Sequence, residues 1–172
     1  DAELARGQME SVDLGKLLPA LGQAHRTAAE GRTGDAQSAA IVFSGQQAGC
    51  VVRGIEGRLV QVFQNLISNA RSFTPLGELI VLAVRRDGRD VVVTVEDRGP
   101  GIPVESLDSI FERFYSERPE GESFGRHSGL GLSISRQIVE AHGGTIHAEN
   151  VQDTDGRRIG ARFVVRLTAA SA

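Results

Sequence analysis

Arg158-Ile159-Gly160-Ala161-Arg162-Phe163-Val164-Val165-Arg166-Leu167 reads as a strand with two unlike faces. Side chains alternate along an extended chain. Ile159, Ala161, Phe163, Val165 and Leu167 therefore face one way, and Arg158, Arg162 and Arg166 the other. One apolar and one charged face belong to a mainly antiparallel sheet covered on a single side. Upstream, residues 79–84 and 91–95 form two more strand patterns flanking Asp87-Gly88, a hairpin turn signal. Ala40-Ile41-Val42-Phe43 and Cys50-Val51-Val52 add short strands around Gly45-Gln46-Gln47. Residues 55–72 and 131–142 carry helical periodicity, the second stopped by Gly143-Gly144. Asp13 is placed to cap a further helix through Leu14, Leu17, Leu18, Leu21 and Ala24, although Pro19 and Gly22 oppose it. Helices on the covered face of such a sheet give a two-layer α/β sandwich. Residues 1–12 read as a polar lead-in, and residues 112–128, rich in Ser, Glu, Gly, Arg and Pro, as a mobile loop.

Composition narrows the possibilities. At 172 residues and 18.3 kDa the chain is long enough for one domain with a proper core. A net charge of −3 and a pI of about 5.8 give no strong pull toward nucleic acid. The single Cys50 rules out an internal disulfide framework and a cysteine-cluster zinc site. No apolar run approaches the roughly 18 residues of a membrane helix. Lys16 is the only lysine, and Gly15-Lys16-Leu17 lacks both the hydroxyl and the upstream glycine of a phosphate-binding lysine loop.

Three motifs carry the chemistry. On the helix over 55–72, Gln61, Asn65, Asn69 and Ser72 form a polar stripe, which on a lone helix reads first as a solvent-facing side, opposite Leu59, Phe63, Leu66, Ile67 and Ala70. Asparagine is a mediocre helix former, and its amide oxygen is a hard ligand suited to Mg²⁺. A neutral ligand leaves the metal's charge to be met by phosphates. Next, the strand ending at Val95 runs into Glu96-Asp97-Arg98-Gly99-Pro100-Gly101-Ile102-Pro103. A carboxylate there can accept a hydrogen bond from an adenine amino group; taken alone, a plain turn with a capping aspartate reads equally well. Val104 stands where a dinucleotide fingerprint needs its third glycine. Finally, Gly129 and Gly131 open the helix over 131–142, where bare backbone amides favour phosphate oxygens, or serve as ordinary punctuation.

In this order, these motifs resemble the catalytic ATP-binding domain of sensor histidine kinases. QVFQNLISNARSFTP (61–75) resembles the N box, DRGPGIP (97–103) the first glycine box, IFERFY (110–115) the F box and SGLGLS (128–133) the second glycine box. AHGGTI (141–146) and GARF (160–163) complete a match over about residues 12–168, with residues 1–11 as a linker and 169–172 as a tail. The resemblance implies a sandwich of a mixed, mostly antiparallel five-stranded sheet and three helices, with a lid over ATP. It implies that Asn69 holds Mg²⁺, that Asn65 supports the metal and phosphate side, and that Asp97 reads the adenine. Gly99, Gly101, Gly129, Gly131 and Gly160, with Ile102, Leu130 and Leu132, would shape the nucleotide walls. Phe111 and Phe114 would anchor the lid.

The chain departs from the family pattern at three places. Ser72 stands where a Lys or Arg is usual, so phosphate contact would fall to Arg71, Arg118 or Arg126. His127 replaces a glycine, and Ala161 a common threonine. Related ATPases of the gyrase and mismatch-repair type carry a glutamate general base where this chain has Asn65, which takes up no proton at neutral pH. Phosphoryl transfer is therefore expected over bulk hydrolysis, with a hydrolysing ATPase and a degenerate regulatory module as the alternatives. None of His25, His127, His142 and His147 has the context of a phosphoacceptor, and each reads as structural. The resemblance thus implies an acceptor and dimerisation domain elsewhere in the parent and a cognate response regulator. It also implies a cytoplasmic location beneath a membrane-anchored parent. The segment itself is expected to be a monomer with no nucleic-acid or membrane contact.

Overall fold

In the computed structural model β7 (Arg158–Thr168) lies between β5 (Asp90–Glu96) and β6 (Thr145–Gln152), antiparallel to both. The described residues are 8–33, 40–46, 48–75, 77–113 and 131–170. β5 pairs antiparallel with β4 (Leu79–Asp87) through a tight two-residue turn at Gly88-Arg89, one residue on from the Asp87-Gly88 pair that signalled it. β2 (Ala40–Gly45) adds to β4 in parallel, so the order is β2-β4-β5-β7-β6 and the sheet is mixed. Phe163, Val165 and Leu167 of β7 join the core, as do Val91, Val93 and Val95 of β5 and Ile80, Leu82 and Val84 of β4. Against them lie α1 (Leu14–Thr33), α2 (Glu56–Phe73) and α3 (Gly131–Ala141). Among the described residues this is the two-layer α/β sandwich, with three α-helices and a five-stranded sheet. Leu59, Phe63, Leu66 and Ile67 of α2 are fully buried, and truncating any one to Ala would cost about 2–5 kcal/mol.

The other sheet face is polar but not purely so. Val92 and Val164 lie there in a shallow recess with Arg85, Arg162 and Arg166, and are buried. Arginine stems cover apolar surface while their heads reach outward. Arg162 pairs with Glu96 and Glu149, and Arg166 with Asp87 and Asp90.

Two expectations change. The lead-in over residues 1–12 contains a strand, β1 (Glu10–Asp13), antiparallel to β3 (Val51–Gly54) in a second, two-stranded sheet. The boundary expected between residues 11 and 12 falls inside β1. Val12 faces Val52, and both are buried; a strand with one core residue in four leaves no alternation to detect. Residues expected in the tail join the same element: the Ala170 amide donates to the Val51 carbonyl at 2.8 Å, and Ala169 bridges to Val52. The second change is one of length: the helix expected through Ala24 is present as α1, and it runs through Pro19 and Gly22 without a break to Thr33. At Gly22 a Cβ would lie 3.3 Å from both Ile41 and Leu82, so the glycine marks where the helix presses on the sheet. Asp13 ends β1, one of its carboxylate oxygens is buried without a partner, and the first α1 amide, Leu14, donates to the Cys50 carbonyl. Among the described residues no helix is long and apolar enough to cross a membrane.

Candidate functional site

The polar stripe of α2 sits as its periodicity requires. Gln61, Asn65 and Asn69 are half-buried and Ser72 is exposed, while Leu59, Val62, Phe63, Leu66, Ile67 and Ala70 fill the core. Ile55 precedes the helix and offers no capping side chain. His142 supplies the missing partner: its Nε2 accepts the Ile55 N–H at 3.1 Å, and its Nδ1 lies 2.7 Å from the Ile138 carbonyl. Nδ1 facing a carbonyl must carry the hydrogen, so the ring is the neutral Nδ1–H tautomer. His142 is a structural link between α3 and the start of α2.

Asn65 connects α2 to the other end of α3. Its Nδ2 donates to the Gly131 carbonyl and to Ser135 Oγ, both at 3.3 Å, and Ser135 Oγ donates to the same carbonyl at 2.8 Å. The N box and the helix opened by the second glycine box are thereby joined at the first turn of α3. Asn69 lies one turn further along α2, half-buried. Ser72 Oγ donates to the Asn69 carbonyl at 2.9 Å. The Arg71 guanidinium donates to the His25 carbonyl at 3.2 Å, which ties α2 to α1. Burial, reinforced by Arg71, lowers the His25 pKa from its ordinary value.

Asp97 follows β5 directly and is 2% exposed. Its backbone amide donates to the Ala161 carbonyl, and its Oδ1 accepts the amides of Ala161 at 3.2 Å and Gly99 at 2.9 Å. Two donors thus occupy the lone pairs of Oδ1, and neither uses Oδ2. Desolvation raises the Asp97 pKa above the usual carboxylate value, against the opposing pull of the Gly99 and Ala161 amides.

The glycines around it answer to close packing. A Cβ on Gly160 would lie 1.9 Å from the Asp97 carbonyl oxygen, and one on Gly99 would lie 2.7 Å from the Phe73 carbonyl. Gly101 has φ +78° and faces Asn150. Asn150 on β6 accepts the Ile102 amide through Oδ1 at 2.7 Å and donates to the Ile102 carbonyl through Nδ2 at 2.6 Å. Sequence reasoning missed Asn150; an asparagine inside a strand, where it is disfavoured, was the available signal.

Phe111 of the F box is buried edge-on against Phe163, with ring centroids 6.0 Å apart, and the Arg136 guanidinium lies 5.8 Å from its ring centre. Leu132 and Ile102 pack partly buried against the core. Phe114, Arg118, Arg126, His127, Gly129 and Leu130 lie outside the described residues, as does most of the loop expected over 112–128. Among the described residues no group of three or more His, Cys, Asp or Glu side chains is placed to hold a metal ion. A cation on this face of α2 would rely on an amide oxygen and on its ligand's own phosphates, which suits Mg²⁺.

Residues 54–171 match the family model of histidine kinase-, DNA gyrase B- and HSP90-like ATPases. The chain belongs to this ATPase family. It is 50% identical over 175 residues to the sensor protein ChvG of Rhizobium meliloti (strain 1021), covering 98% of this chain and 30% of ChvG. It thus spans under a third of that relative's length. Two solved structures share the ATPase-family fold. The catalytic domain of the histidine kinase ThkA is 26% identical at a TM-score of 0.75, covering 94% of this chain and 96% of that one. Full-length ShkA in complex with AMPPNP is 25% identical at 0.73, covering 97% of this chain and 33% of ShkA.

Proposed function

We propose that this domain binds Mg²⁺-ATP and donates the γ-phosphoryl group to a histidine on a separate dimerisation domain, as the catalytic part of a two-component sensor kinase. The observation that carries the proposal is Asp97: a buried carboxylate with one oxygen engaged by two backbone amides and the other left for an adenine amino group. Asn69 would hold the Mg²⁺, whose chemistry is to neutralise charge on the triphosphate. Asn65, bonded to the first turn of α3, would fix the phosphate side. An amide at this place activates no water, which favours transfer over hydrolysis. In the transfer the bond from the γ-phosphorus to the bridging oxygen breaks, a bond to an imidazole nitrogen forms, and ADP leaves with the electron pair. The AMPPNP complex of ShkA and the histidine kinases among the similar proteins support the same reading. By the same analogy the parent carries the acceptor domain, is anchored in the membrane with this domain on the cytoplasmic side, and acts on a response regulator.

The test is calorimetry of the chain with ATP and Mg²⁺, followed by labelled ATP in the presence of the acceptor domain. Heat of binding and label on a histidine are expected. Free phosphate alone would point to a hydrolysing ATPase, and neither label nor phosphate to a regulatory module.

A further inference from the structure

The loop after β5 carries Asp97, Gly99, Gly101 and Ile102, and three neighbouring strands each hold it. β5 delivers Asp97. β7 meets it at Ala161 with a reciprocal pair, Asp97 amide to Ala161 carbonyl and Ala161 amide to Asp97 Oδ1. β6 places Asn150 opposite Ala161 in the register, and Asn150 bonds both backbone groups of Ile102. The last of these holds is unlike the others, because a side chain does the work of a strand. A planar amide offers one acceptor and one donor side by side, which is what an extended residue offers its neighbour in a ladder. Gly101 is shaped to admit it: a Cβ there would lie 2.9 Å from Asn150 Oδ1. The bareness of Gly101 therefore serves Asn150 as well as the left-handed turn.

We infer that Asn150 is a positioning residue for the nucleotide base: by clamping Ile102 it fixes the loop that carries Asp97 and so the fit of the purine. The inference rests on the proposed adenine role of Asp97. Asn150 touches no nucleotide atom in this scheme. It acts through the Gly101-Ile102 backbone, whose displacement would misplace the base while leaving the asparagine face of α2 as it is. The effect should appear in base recognition and not in phosphate binding.

The experiment is calorimetry of the full chain and its Asn150→Ala variant with three Mg²⁺ complexes: ATP, inosine triphosphate (a carbonyl in place of the purine amino group) and tripolyphosphate. The variant is expected to bind ATP about tenfold more weakly. Its preference for ATP over inosine triphosphate should narrow, and its tripolyphosphate affinity should stay unchanged. ATP affinity equal to the parent's, or equal weakening of all three ligands, would overturn the positioning role. If the parent bound no ATP, the reading beneath it would fall as well. If the parent binds ATP and Asp97→Asn selectively loses it while Asn150→Ala does not, only the Asn150 inference fails. Should Asn150→Ala not fold, amide hydrogen exchange on the parent decides. The Ile102 amide is expected to be protected like a strand amide, and exchange at the rate of an open loop would refute the clamp.

Discussion

The proposed base side of the site and its phosphate side are built on opposite plans. Around Asp97 the parts are held by backbone: Oδ1 carries two amides, Gly160 lets β7 touch the Asp97 carbonyl, and Asn150 grips Ile102. On the phosphate side Asn65 and Asn69 stand on the half-buried face of α2, while the opposite face does the packing. Base recognition is therefore bound up with the stability of this end of the sheet. On the phosphate side Asn65 ties α2 to α3, whereas Asn69 can be altered with little consequence for the fold.

The largest effect should come from Gly160→Ala. Its methyl would sit 1.9 Å from the Asp97 carbonyl oxygen, a backbone atom, so no side-chain movement relieves it. A loss of more than about 4 kcal/mol is expected, read as a collapse in thermal and denaturant unfolding. A Gly160→Ala variant melting close to the parent would show that this end of the sheet is far more yielding than the contacts imply.

Asp97→Asn should separate recognition from stability on the same side. The amide oxygen can accept the Gly99 and Ala161 amides as the carboxylate does, but the buried charge is gone. Burial raises the folded-state pKa of Asp97, so its favourable contribution is complete below the unfolded carboxylate value, about 3.9, and is lost as pH rises through the raised value. At neutral pH the Asn variant should melt at or slightly above the parent, while ATP binds roughly ten- to a hundredfold more weakly. The parent's ATP affinity should also fall as pH drops through the raised Asp97 pKa, and the variant's should not. Equal loss of ATP and of tripolyphosphate would exclude the adenine role.

Much of this contrast was legible in the residues themselves. The alternation of β7, the Asp87-Gly88 turn and the two faces of α2 each follow from a local period, and local periods survive folding. The asparagines stood out because their residue type fits a mid-helix place poorly unless a ligand is considered, whereas Asp97 alone read equally well as a turn cap and gained its role from the resemblance. What escaped was non-local. Nothing in Ala40-Ile41-Val42-Phe43 tells that β2 pairs in parallel with β4 while β3 leaves for a second sheet. Asn150 escaped for the same reason, as did the partner of His142, a residue read as structural: each bonds backbone 48 or 87 residues away. Pro19 and Gly22 misled because helix propensity is a weak prior beside the burial of Leu14, Leu18 and Leu21.

Asn69→Ala tests the phosphate side. It should abolish most of the Mg²⁺-dependent gain in ATP affinity, roughly tenfold, with ATP binding in the absence of the metal unchanged. Because Asn69 lies off the packed face of α2, the melting temperature should move little, in contrast to Gly160→Ala. A Mg²⁺ titration in which parent and variant respond alike would remove Asn69 from the metal role.

The smallest effect on binding should come from His142→Ala, which probes whether the far end of α2 matters to the site. The imidazole joins the Ile55 amide to the Ile138 carbonyl and packs on Gly54, where a Cβ would lie 2.9 Å from its Cδ2. Its removal leaves a helix start without a cap, at a cost of about 1–2 kcal/mol. For a domain of this size that lowers the melting temperature by about 2–4 °C per kcal/mol. Ten residues of helix separate Ile55 from Asn65, about 15 Å along the axis, and the intervening turns are fixed by Leu59, Val62 and Phe63 in the core. Fraying at the first turn should therefore stop before the asparagines, and ATP affinity should match the parent's within twofold. If affinity fell in step with stability, α2 would be moving as a rigid rod pivoting on His142, and the phosphate side would not be separable from the fold.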